Sequence, residues 1–196
     1  MRKFFFFILL LLASPAKSEN QFYLIATINN VPVTNIDIVN EIEIIKILNK
    51  NLDGIKTLPT IALQNIVHEI LKKEEIEKTN TKINEKVIAR QVDEFIKRKD
   101  LKNIKITKKI RYGLNKKFKI DIAWNKLVAN KYSSKININM AEIDEKLRNN
   151  PNIENKKNFA QFKEGLIKTE KNKKIMNYSN NHLAKIKRQA LIKIFK

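Results

Sequence analysis

The 196-residue chain contains no cysteine, which excludes disulfides, thiolate chemistry, cysteine-ligated metals and a lipid-bearing cysteine after a leader. Only three glycines and four prolines interrupt it, and no glycine-rich phosphate loop, HExxH or GxSxG sequence occurs. Histidine is nearly as scarce. His68 and His182 stand 114 positions apart in predicted helices, among Asn, Glu or apolar neighbours, and read as ordinary surface or partly buried histidines. The carboxylate pairs Glu41/Glu43 and Glu74/Glu75 fall in Lys-rich helices and read as solvated faces. An enzyme needs convergent reactive groups and this inventory offers none, so no catalytic residue, cofactor or metal is assigned.

Positive charge, by contrast, is abundant. Forty Lys+Arg face twenty Asp+Glu, a net +20, which first suggests a nucleic acid or an anionic surface as partner. Lysine supplies 34 of the cations, alongside 31 Ile and 25 Asn, and all three residues have A/T-rich codons. The charge therefore has two readings, codon composition and selection for a partner. It is also uneven: residues 35–75 carry net −2, whereas 97–119 carry net +10 and 168–196 net +8. The two basic segments read either as solvated helix faces or as an attraction for acidic clients and anionic outer-membrane lipid.

Arg2 and Lys3 precede an unbroken apolar run from Phe4 to Leu12, then the small-residue stretch Ala13 to Ser18, the layout of a secretory signal peptide. Nine apolar residues fall well short of the roughly 20 needed to span a bilayer, and no later segment is longer. The expectation is a signal peptide over 1–18, cleaved after Ala16 or Ser18, and a periplasmic chain with no transmembrane span after cleavage. Three cations leave with that segment, and export removes nucleic acid as the natural partner.

Residues 19–196 read as one mainly α domain with a small β element. Phe22 to Val33 forms two β-rich runs joined by Asn29-Asn30, residues that tolerate the positive φ of a tight hairpin turn. A helix capped by Thr34 or Asn35 follows to about Asn49, with Ile36, Val39, Ile42 and Ile45/Ile47 as its apolar stripe. Asp53-Gly54 marks a turn, and Pro59 opens a second helix to about Lys78 whose apolar face holds Leu63, Ile66, Val67, Ile70 and Leu71. Asn84 caps a third over Glu85–Lys99. Leu101–Tyr132 holds two helical pieces broken near Gly113, ending in the stripe Ile120, Trp124, Leu127 and Val128. An extended Lys135–Asn137, a capping box Asn139/Glu142 on the short helix Met140–Asn149, and a break at Asn149 to Asn152 come next. A long helix from Phe159 to about Gln189 carries the seam Phe159, Phe162, Leu166, Met176, Leu183, Ala190. The last residues, Ala190 to Phe195, alternate like a strand able to join the hairpin.

Three stretches carry a resemblance: ATINNVPVTNIDIVNEI, IDIAWNKLVANKYSSKININMAEIDEKL and LAKIKRQALIKIF. Their order resembles the core of the SurA-type periplasmic chaperones. That resemblance implies a helical chaperone core closed by pairing of Leu191–Phe195 with Tyr23–Ile28. Members usually carry parvulin-type prolyl-isomerase domains, each around a hundred residues, between the capped helix and the long one. Here that interval is residues 150–158, too short for a domain, so the implied core comprises 19–149, a loop at 150–158, and a C-terminal helix and strand over 159–196.

The function this implies is ATP-independent holding of unfolded polypeptides, outer-membrane protein precursors among them, in an apolar groove. Trp124, Tyr132, Phe159, Phe162 and Met176 are the candidate groove or groove-edge residues, with filling of the core the alternative for Trp124, Phe159 and Phe162. Competing readings are a prolyl isomerase by family association and a cationic envelope-surface scaffold.

Overall fold

The structure, a computed structural model, describes residues 22–49, 52, 54–79, 81, 83–98, 101, 105–149 and 156–195. The expected signal segment and the break at 150–152 lie outside these residues. Strands β1 (Leu24–Ile28) and β2 (Val31–Thr34) form the hairpin, and Asn29 and Asn30 adopt φ of 47° and 69°, the left-handed pair a two-residue type I′ turn requires. Thr34 then caps α1 (Asn35–Leu48) through a reciprocal box: its hydroxyl accepts from the Asp37 N–H while the Asp37 carboxylate accepts from the Thr34 N–H. Helices α2 (Leu58–Glu77), with Pro59 in its first turn, and α3 (Glu85–Arg98) follow as their apolar spacing predicts.

Helix α4 (Lys108–Lys131) corrects one expectation, because it runs unbroken through Gly113. A Cβ there would lie 2.8 Å from Cδ1 of Ile44, so the glycine marks a close crossing of α1 over α4 rather than a break. The α1 stripe is corrected too. Ile38, Glu41, Ile44, Ile45 and Ile47 are the buried residues, and Val39 faces out. After a single 3₁₀ turn at Ser133–Lys135, which replaces part of the expected extended segment, Asn139 caps α5 (Met140–Arg148). Its side chain accepts from the Ala141 N–H, and Glu142 bonds Lys146 in place of completing a box.

The long α6 (Lys156–Gln189) ends against the sheet, and β3 (Ile192–Ile194) pairs antiparallel with β1 in the order β2-β1-β3. The fold is therefore mainly α with a small sheet made by both ends of the described chain. Ala26, Ile28 and Val33 of that sheet pack on Ile38, Ile45, Ala62, Val67 and Leu71, with Leu183 and Ile186 of α6 closing the same core. Among the described residues no helix is long and apolar enough to cross a membrane.

Asn29 fastens three elements at one point. Its N–H donates to the Leu191 carbonyl at 2.9 Å, its Oδ1 accepts from the Leu191 N–H at 2.8 Å, and its Nδ2 donates to Glu74 of α2 at 2.7 Å. Asn29→Gly keeps the turn geometry but leaves two side-chain bonds unmade, an expected loss of about 1–3 kcal/mol in urea unfolding. Asn29→Asp costs more, because it sets a second carboxylate against Glu74. Equal stability of the two variants contradicts this assignment.

Candidate binding groove and the buried histidine cluster

Helices α1, α2 and α4 cross closely because their polar residues are matched in pairs. Glu41 on α1 is buried, yet its carboxylate lies 2.8 Å from Nζ of Lys117 on α4 and accepts from Nδ2 of Asn65 on α2 at 3.0 Å. Lys117 also reaches Glu69 of α2 at 3.4 Å, and Lys116 meets the other oxygen of that carboxylate at 2.5 Å. A buried charge left alone is costly, so these three helices are held in one register.

Glu41, Glu69, Lys116 and Lys117 also line a cleft of about 400 Å³, together with Val31 and Pro32 of β2 and with Ile44, Ile66, Ile70 and Ile110. Gly113 lines it too, where its missing side chain lets Ile44 of α1 pack against the α4 backbone. A second hollow of about 670 Å³, lined by Ile76, Ile83, Ile120 and Ala123, lies between α2, α4 and the start of α3. Lys73, Glu77, Tyr112 and Lys116 line both, so the two hollows adjoin along α2 and α4 and together make the candidate groove. Tyr112 stands at the junction with 72% of its surface exposed.

The sequence-based candidates lie elsewhere. Trp124 is 1% exposed and belongs to the core between α4 and α6, its indole N–H donating to Ser179 Oγ at 2.7 Å. Tyr132 is half-buried and stacks on Tyr178 with ring centres 4.7 Å apart. Phe159, Phe162 and Met176 are exposed on α6, Phe162 beside a shallow hollow with Gln161, Gly165, Leu166 and Thr169. None of the five lines the groove. The α6 seam is also offset by one residue at Met176: Ile175, Tyr178, Leu183 and Ile186 pack against α4. Periodicity marks apolar faces but not the gap between two of them, so Ile66, Ile70 and Tyr112 carried no signal as groove residues.

Trp124 and Tyr132 do meet, around His182. That imidazole is 5% exposed, stacks on Trp124 at 5.4 Å, bonds the Tyr132 hydroxyl at 3.1 Å through Nδ1, and bonds Glu75 of α2 at 3.0 Å through Nε2. Glu75, read from sequence as a solvated acid, is instead shared among His182, Lys131 of α4 and Lys78. Burial alone raises the Glu75 carboxyl, but hydrogen bonds from Lys78, Lys131 and His182 outweigh it and hold the pKa at about 2. Burial lowers the His182 pKa, helped by the Lys131 ammonium, and Glu75 opposes this without reversing it. The cluster fastens α6 to α2 and α4. Among the described residues no group of three or more His, Asp or Glu is arranged to hold a metal ion.

Compared with known proteins, the chain matches no protein-family model, no curated protein and no solved structure.

Acid acts on this cluster in one direction. Glu75 contributes stability present above its ordinary pKa near 4.5, up to about 3 kcal/mol, and lost as pH falls toward 2. His182 takes up a proton more readily in the unfolded chain, so stability also falls as pH drops below 6.5, and His68, lowered by burial and by Lys187 and Lys72, adds to that step. Urea midpoints read by Trp124 fluorescence should therefore fall in two stages. Glu75→Gln should shrink the lower stage, to which Glu170, lowered by hydrogen bonds from Lys146 and Lys173, also contributes, and His182→Gln should shrink the upper one, which vanishes only when His68 is also replaced. An acid limb unchanged in all three variants contradicts the assignment.

Proposed function

We propose that this chain is a nucleotide-independent holding chaperone of the periplasm, taking up unfolded polypeptides, outer-membrane protein precursors among them. The observation that carries this reading is the pair of adjoining hollows along α2 and α4, lined by isoleucines and by charged side chains that already have partners within the fold. The sheet closed by β3 supports it as well, since the likeness to SurA-type cores requires that pairing.

The groove's chemistry suits polypeptide better than a small ligand. Isoleucines recur along its lining, and its charged groups already have partners within the fold, so little remains to fix the orientation of one compact molecule. Each aliphatic or aromatic client side chain seated there gains roughly 1.5–3 kcal/mol. A few such seats, less the cost of ordering the client, give a reversible hold of about micromolar strength. Release then needs no nucleotide, only a client that folds or inserts and withdraws its apolar segments.

In the proposed mechanism Tyr112 is the exposed edge shared by the two hollows. Its exposure makes Tyr112→Ala a substitution that leaves stability within about 0.5 kcal/mol. Light scattering by a denatured outer-membrane β-barrel should be suppressed at an equimolar ratio of this chain, and Tyr112→Ala should need several-fold more protein for the same effect. Absence of suppression by the unaltered chain removes the reading.

A further inference from the structure

The small sheet has two edges, and they are not equivalent. Within β1, Ile25 and Asn29 bond toward β3: the Phe195 N–H donates to the Ile25 carbonyl at 2.8 Å and the Asn29 N–H to the Leu191 carbonyl at 2.9 Å. Antiparallel pairing alternates, and Thr27 stands opposite Lys193, so Leu191, Lys193 and Phe195 turn their backbone groups inward. Ile192 and Ile194 therefore turn their N–H and C=O groups away from the sheet. By the same alternation the residue of β2 opposite Thr27 faces outward, and that residue is Pro32, which has no N–H. One edge of the sheet is blunted by proline. The other keeps its donors and acceptors.

The open edge is also apolar and cationic. Leu191, Ile194 and Phe195 are 54%, 65% and 44% exposed. Lys187, Arg188 and Lys193 make no ion pair among the described residues, within a segment, 168–196, of net +8. Two copies pairing edge to edge would set these like charges against each other, which disfavours a second copy of this chain as the occupant.

We propose that the outer edge of β3 takes up an extended, acidic polypeptide segment as a fourth strand. Its backbone would pair with Ile192 and Ile194, its apolar residues would lie beside Ile194, and its carboxylates beside Lys193. This rests on the reading of the chain as a holder of unfolded polypeptide and adds a site selective for strand-forming acidic clients.

The test is fluorescence anisotropy with the full chain and a labelled peptide alternating valine and glutamate. Three comparisons are made: the same peptide N-methylated at successive residues so that neither edge can donate, a lysine-for-glutamate peptide, and the variant Ile194→Pro, which removes only an outward-facing N–H. Methylation and Ile194→Pro should each weaken binding about tenfold, and the lysine peptide should bind least. If Ile194→Pro unfolds the chain by circular dichroism, the methylated peptide on the unaltered protein decides. Equal binding of methylated and parent peptides, equal binding of acidic and basic peptides, or a dimer in sedimentation that Ile194→Pro dissociates overturns the proposal. A chain that suppresses barrel aggregation but ignores methylation overturns strand addition alone. A chain that binds the peptide through β3 yet suppresses no aggregation overturns the chaperone reading and leaves the edge as a peptide site.

Discussion

Carboxylates are the scarce partner in this chain, outnumbered two to one by cations, and the arrangement of helices depends on the few that α2 and its neighbour α1 hold. Glu69 collects Lys116 and Lys117, Glu75 collects Lys131 and His182, and Glu74 takes the Asn29 amide. Together they bind α2 to three elements: Glu69 to α4, Glu75 to α4 and α6, Glu74 to the hairpin turn. Apolar burial supplies most of the driving force for packing, but it is non-directional. The shared carboxylates fix which helix lies where, because displacing any of these pairs would strand charge in a half-buried site.

That fixed register produces the groove. Helices that pack by interlocking side chains alone tend to close the space between them. Here α1 and α4 approach closely at one point, where Gly113 admits Ile44, and the Glu41–Lys117–Glu69 network spans the three helices. Bringing the helices closer would bury further charge without a partner, and this resists collapse of the hollow. Apolar surface is thereby kept open within a strongly cationic protein.

The features legible in the sequence are those decided within a few residues. Asn29-Asn30 specifies its turn by backbone tolerance, Thr34 and Asp37 cap a helix three positions apart, and the strand over Ala190 to Phe195 shows in its alternation. Gly113 misled because helix propensity is a local prior, while the reason for a glycine there is a side chain 69 positions away. Glu75 and His182 looked unremarkable for the same reason, being 107 positions apart, although His182 sits on the stripe Ile175, Tyr178, Ser179, His182, Ile186 that faces the core. A polar residue on such a stripe is a signal for a buried partner, and a scarce acid on another helix is the natural one to seek.

The two basic segments, alike in composition, end with opposite roles. In α4 five cations of the 97–119 segment lie beside carboxylates of other helices, Lys117 largely buried and the rest nearer the surface: Lys109 near Glu43, Arg111 near Asp93, Lys116 and Lys117 at Glu69, and Lys119 at Glu85. Their charge is cancelled locally and reaches little beyond a Debye length of about 8 Å. At the C-terminal end Lys187, Arg188 and Lys193 have no ion-pair partner among the described residues, so the field there persists and is concentrated beside the open edge of β3. Composition alone gives both segments the same attraction for anions. The fold assigns one to holding helices together and leaves the other facing solvent, where salt will weaken whatever it attracts.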